Sequence, residues 1–180
     1  MSADGGKPTR VADNGEAPQF SADGSRVYYL TGGGLKKKLM SVGLHGEEPR
    51  EVYNLKYVDS VSISPDGKWV AFTELFNAYV APLMTTGSSV ELSKDSKAMP
   101  VTPVSADVGS YLHWAADSKS LHWMVGDRYY SRPLNQAFAF LPGAPATPAK
   151  PSADETGVRV GLDLPVYAAR DTVAFTHARV

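Results

Sequence analysis

Three stretches of this sequence are variants of one another. Pro18-Gln-Phe-Ser-Ala-Asp-Gly-Ser-Arg-Val-Tyr-Tyr returns as Val61-Ser-Ile-Ser-Pro-Asp-Gly-Lys-Trp-Val-Ala-Phe and, more loosely, as Leu112-His-Trp-Ala-Ala-Asp-Ser-Lys-Ser-Leu-His-Trp. Asp23, Asp66 and Asp117 mark the same place in each copy and lie 43 and 51 residues apart. A repeat of this length is one supersecondary unit, which buries its apolar side chains only against its neighbours. That constraint leaves few architectures open.

The columns of the repeat read as an antiparallel hairpin. Phe20, Ile63 and Trp114 share one column, with Pro18, Val61 and Leu112 two residues earlier. After the turn, Val27, Val70 and Leu121 share a column, and Tyr29, Phe72 and Trp123 lie two residues on. Period 2 on both arms is the alternation of half-buried strands. The turn is built on Asp23-Gly24, Asp66-Gly67 and Asp117-Ser118. Asp bonds a nearby backbone amide and Gly supplies positive φ, so Ser118 makes the third turn the weakest match.

A third strand follows at Met40-Ser-Val-Gly-Leu44, Tyr79-Val-Ala-Pro-Leu83 and Tyr130-Ser-Arg-Pro-Leu134. An outer strand then starts at Pro49-Arg-Glu-Val and Pro100-Val-Thr-Pro, where a proline costs no ladder bond. Four strands and this spacing describe a propeller blade, the third copy being displaced by an insertion. The expected fold is all-β, a β-propeller fragment of about three four-stranded antiparallel blades. Its expected divisions are blade 1 over 17–58, blade 2 over 59–108 and blade 3 over 109–164. The proline-rich stretch 141–151 is a loop, and Gly157 to Leu164 alternates as the third blade's outer strand. Pro8-Thr-Arg-Val makes 1–16 the outer strand of a preceding blade, and 165–180 begins a following β-domain.

Composition narrows the functions. Eighteen basic and nineteen acidic side chains leave a net charge of -1, no excess with which to hold a nucleic-acid backbone. No run of about 18 apolar residues is present, so membrane insertion is not expected. The absence of cysteine removes disulfides, thiolate nucleophiles and cysteine-ligated metals, and leaves the compartment open. Met1 to Asn14 holds no apolar stretch of the kind a secretory signal needs.

The recurring Ser-Pro-Asp-Gly-Lys-x-Val-Ala-Phe pattern resembles the TolB-like (WD40-like) β-propeller repeat, over roughly Ala17 to Leu164. Such repeats occur in periplasmic TolB-like proteins, in prolyl-oligopeptidase-type peptidases, and ahead of the hydrolase domain of bacterial amidohydrolases. Thr172-Val-Ala-Phe-Thr-His-Ala-Arg-Val180 is similar to the opening strand of an amidohydrolase, with His177 in place of the usual glycine. The resemblance implies a periplasmic or secreted setting. With the chain ending inside an apolar strand, it also implies a segment of a longer metal-dependent hydrolase whose catalytic part lies elsewhere.

The sequence offers little chemistry of its own. No His-x-His, His-Glu-x-x-His or Gly-x-Ser-x-Gly motif is present, so no catalytic, metal-binding or cofactor-binding residue is assigned. His113 and His122 lie on the two arms of the third hairpin, near Asp117. A solvated or channel-facing role is favoured for them over a site. Thr31-Gly-Gly-Gly-Leu-Lys-Lys-Lys38 lacks phosphate-loop spacing and reads as a hairpin loop whose lysines discourage edge pairing. Trp69, Trp114 and Trp123 are expected in inter-blade packing rather than on a ligand platform.

Three blades leave two lateral apolar faces, more than a soluble monomer usually exposes. The expected partner is a second copy completing a six-bladed ring, or the remainder of a parent chain. The favoured function is a non-catalytic propeller segment that scaffolds, gates or presents an interaction surface. The alternatives are a free-standing TolB-like interaction module of the cell envelope and the propeller of a serine peptidase.

Overall fold

The computed structural model describes residues 5–85, 87–161, 174 and 176. The strands run β1 (Glu16–Phe20), β2 (Arg26–Thr31), β3 (Lys37–Gly43), β4 (Arg50–Leu55), β5 (Val58–Ile63), β6 (Trp69–Glu74) and β7 (Asn77–Pro82). They continue as β8 (Val90–Leu92), β9 (Thr102–Val108), β10 (Ser110–Trp114), β11 (Ser120–Val125), β12 (Arg128–Pro133) and β13 (Val158–Arg159). Three sheets result, ordered β1-β2-β3-β4-β8, β5-β6-β7-β9 and β10-β11-β12-β13. Each is an antiparallel meander of four strands, β8 alone joining in parallel.

The sheets stack through two apolar cores. Tyr28, Leu30, Leu39 and Leu55 of the first sheet meet Val61, Ile63, Val70 and Phe72 of the second. Ala71, Val80 and Val104 on the other side of the second meet Leu121 and Trp123 of the third. Sheets wound from the inside out and packed face to face in sequence are blades of a β-propeller. The described residues are all-β and contain three of them.

The repeat columns explain the packing. Phe20 pairs with Val27, Ile63 with Val70 and Trp114 with Leu121, so one register recurs in all three hairpins. Because side chains alternate across a strand, these columns all point to the same side of their blade. That side faces the preceding blade.

The wider spacing between Asp66 and Asp117 arises in the connection from β7 to β9. There β8 pairs with β4 through Tyr53, Asn54 and Leu55, adding a fifth strand to the neighbouring blade. Tyr53 Oη donates to the Pro82 carbonyl at 3.2 Å and accepts the Met84 amide at 2.7 Å, fastening the start of that connection to β4.

At the N-terminus, residues 7–15 form no strand and lie along blade 1. Between β12 and β13, Leu134, Ala137 and Phe138 are buried against blade 2, and the proline-rich stretch carries no strand. β13 falls within the expected outer strand, whose remainder from residue 162, like the amidohydrolase-like segment, lies outside the described residues except 174 and 176.

Candidate functional site

The six turn residues do what their types require. Gly24, Gly67 and Ser118 adopt φ of 68°, 69° and 61°, so Ser118 takes the glycine conformation. Asp23 Oδ1 accepts the Ser25 amide at 3.1 Å, Asp66 Oδ1 the Lys68 amide at 3.1 Å, and Asp117 Oδ1 the Lys119 amide at 3.0 Å. Ser21 and Ser64 add a hydroxyl bond of 2.6 Å to the same carboxylates, while Ala115 leaves Asp117 without one. Hydrogen bonds from Ser21 and Ser25 hold the Asp23 carboxyl down at about 2. These aspartates are occupied by their own turns.

The turns also stack on one another. A Cβ on Gly67 would lie 3.1 Å from the Ala22 Cβ, which brings the first turn onto the second. The Asp66 amide donates to Ser118 Oγ at 3.0 Å, which brings the second onto the third. Ser118 is therefore a link between blades. Deeper in, Gln19 donates to the Val61 carbonyl at 2.8 Å and accepts the Ile63 amide at 2.9 Å, and Trp114 Nε1 donates to the Ser62 carbonyl at 3.0 Å.

Two surfaces remain outside this stacking, and they differ in chemistry. On blade 1 the column that is buried elsewhere is open at its inner end: Phe20 is 71% exposed where Ile63 is 8% exposed. Residues 10–14 run beside Tyr29, Thr31 and Val42 on the outer half of the same side, which leaves Val42 1% exposed. On blade 3 the opposite side carries the clustered rings of His113, His122 and Tyr129. The sequence placed His113 and His122 on paired arms, and the structure brings them together as cross-strand partners with ring centroids 5.4 Å apart.

Tyr129, which sequence reasoning missed, completes this cluster by stacking on His122 at 5.4 Å. Its signal was available in the tight β11–β12 hairpin, whose register places Tyr129 opposite Met124, diagonal to His122. His113 Nδ1 donates to the Tyr111 carbonyl at 2.7 Å, which leaves Nε2 facing the Tyr129 hydroxyl at 3.5 Å. His122 Nδ1 is buried without a hydrogen-bond partner among the described residues. Burial, then the neighbouring His113, holds the His122 imidazole below its ordinary value of 6.5. The cluster offers ring stacking, hydrogen bonding and, at His122, proton uptake.

The other candidates are absorbed by structure. Lys37 pairs with Glu16 and Lys38 with Glu51 within blade 1, and Lys37 also donates to the Asp59 carbonyl of blade 2. Trp69 stacks on Phe138 at 5.1 Å and Trp123 on Tyr130 at 5.5 Å, within or against the inter-blade core. Among the described residues no three His, Asp or Glu side chains are grouped to hold a metal ion. One more exposed feature stands out: the β6–β7 turn is Leu75-Phe76, with φ of 48° and 74°. These side chains are 55% and 71% exposed.

No family model matches the sequence, and no curated protein matches it. Among solved structures the chain is similar to one in a nidogen/laminin complex, at 15% identity and a TM-score of 0.47, covering 72% of this chain and 49% of that one. It is similar to the β-propeller domain of the trilobed protease from Pyrococcus furiosus at 18% identity and a TM-score of 0.43, covering 66% of this chain and 38% of that one. TolB from Acinetobacter baumannii gives 13% identity and a TM-score of 0.33, covering 68% of this chain and 41% of that one. The chain thus spans no more than half the length of each.

Proposed function

We propose that the chain is a non-catalytic β-propeller segment of a larger, amidohydrolase-like protein, in which it acts as a scaffold and presents its lateral blade faces as docking surfaces. One observation carries the docking role. The column buried between blades at Ile63, Val70 and Phe72, and again at Leu121 and Trp123, recurs on blade 1 with Phe20 left 71% exposed. A side chain whose repeat equivalents are core residues marks a surface built to be covered. The parent assignment is supported by the TolB-like repeat and by the likeness of Thr172 to Val180 to an amidohydrolase opening strand.

Expressing the hydrolase part of the parent protein with and without these blades tests the scaffold role. Turnover is expected to need the blades, supplied in the same chain or added separately, while the blades alone turn over no amide or ester. Equal turnover without them would overturn it. The parent assignment has a separate test in the downstream reading frame. A His-x-His metal motif within roughly a hundred residues of Val180 is expected. A Gly-x-Ser-x-Gly elbow there would move the blades to a serine peptidase instead.

A further inference from the structure

Both face-to-face cores between neighbouring blades among the described residues join the same two kinds of surface. The earlier blade offers the side bearing Tyr28 and Leu30, or Ala71 and Val80; the later offers Val70 and Phe72, or Leu121 and Trp123. One surface of each kind is left over. Blade 1 keeps a later-type surface and blade 3 an earlier-type one, so a single chain holds both halves of a further contact. Propellers close with four to eight blades, and two copies of three related by a twofold axis would present each leftover surface to its complement twice.

The inner strands and turns repeat the same logic. Gln19 reaches across to Val61 and Ile63, and His113 occupies the Gln19 column in blade 3, exposed and facing outward. Ala22 lies over Gly67 and Asp66 bonds Ser118, whereas a Cβ on Gly24 would meet nothing within 4 Å. Gly24 is the place left for a preceding turn.

Residues 7–15 add an independent observation. Pro8-Thr-Arg-Val11 aligns with Pro49-Arg-Glu-Val52, the outer strand that lies over blade 2. Its next residue, Tyr53, bonds Pro82 and Met84 there. Val11 likewise approaches the corresponding corner of blade 1, its carbonyl 3.4 Å from where a Gly46 Cβ would stand. The segment thus sits on blade 1 as the outer strand of a preceding blade would. Blade 3 presents β10, β11 and β12 as full inner strands, with the two-residue β13 paired to Arg128 and Tyr129 at its outer edge.

We infer that a second copy of this chain fills both open faces and closes a twofold ring of six blades. In each seam Phe20, Val27 and Tyr29 of one copy pack on His113, His122 and Tyr129 of the other. This rests on reading the open faces as docking surfaces. Sedimentation equilibrium of the chain is expected to give twice its 19.3 kDa mass.

Phe20→Asp and His113→Glu alter exposed positions, so each is expected to keep the strand signal in circular dichroism while sedimenting as a monomer. Mixed in equal amounts, the two variants are expected to recover a dimer, because one of its two seams is then unaltered. Failure of the mixture to associate would overturn the inference. So would a wild-type dimer that Phe20→Asp breaks and His113→Glu leaves intact, which is blade 1 against blade 1. A wild-type monomer at all concentrations would overturn it as well, and anilinonaphthalene sulfonate then separates the two readings. Dye binding abolished by Phe20→Asp leaves a docking face for another occupant, such as the rest of a longer chain; no dye binding removes the docking face too.

Discussion

Ser118 shows how one side chain serves two opposed demands. Its φ of 61° is a conformation that costs roughly 1–2 kcal/mol outside glycine, yet its hydroxyl accepts the Asp66 amide of the preceding blade. Ser118→Ala keeps the strain and loses the bond, so thermal or urea unfolding is expected to show a loss of about 1–2 kcal/mol. Ser118→Gly loses the bond but relieves the strain, and is expected to lie closer to the wild type than Ser118→Ala. The opposite order would show that the hydroxyl link contributes little. His122 supplies a pH dependence of known sign. Burial and His113 lower its proton affinity in the fold, so below the ordinary 6.5 the unfolded chain binds the extra proton. Stability is therefore retained above that value and lost as pH falls from it toward the folded value. Urea titrations between about pH 7 and 5 are expected to show this slope, and His122→Gln to flatten it.

Hairpins differ between blades in ways that set local stability. The β6–β7 turn places Leu75 and Phe76 at positive φ, where a two-residue hairpin of this hand favours Asn-Gly. Replacing the pair by Asn-Gly is expected to raise stability by about 1–2 kcal/mol in thermal unfolding. A fall would mean that these exposed side chains hold contacts within the chain. The β7–β9 connection is the element that departs most from the repeat, because β8 leaves its own blade and joins β4. Leu92 is fully buried there although it lies in a segment outside every repeat column.

The stack as a whole has one blade covered on both sides and two covered on one. Stability in repeat assemblies is a sum of unit and neighbour terms, so blade 2 is the last to open. In the isolated chain, amide exchange is expected to be slowest at Val70, Ala71 and Val80, and faster at the equivalent positions of blade 3. Uniform protection across all three blades would indicate that both outer faces are covered in solution. The sequence by itself determined the blades, the hairpin register and the inward columns, because strand alternation and a tight aspartate turn are encoded within about a dozen contiguous residues. It also placed Asp23, Asp66 and Asp117 in the turns. Only the tertiary structure decided that Ser118 ties two blades, that β8 crosses to its neighbour, and that Phe20 stands open. Each of those facts concerns residues distant in the chain or a surface with nothing upon it. Local periodicity fixes which way a side chain points, whereas what it meets depends on the packing of one sheet against the next.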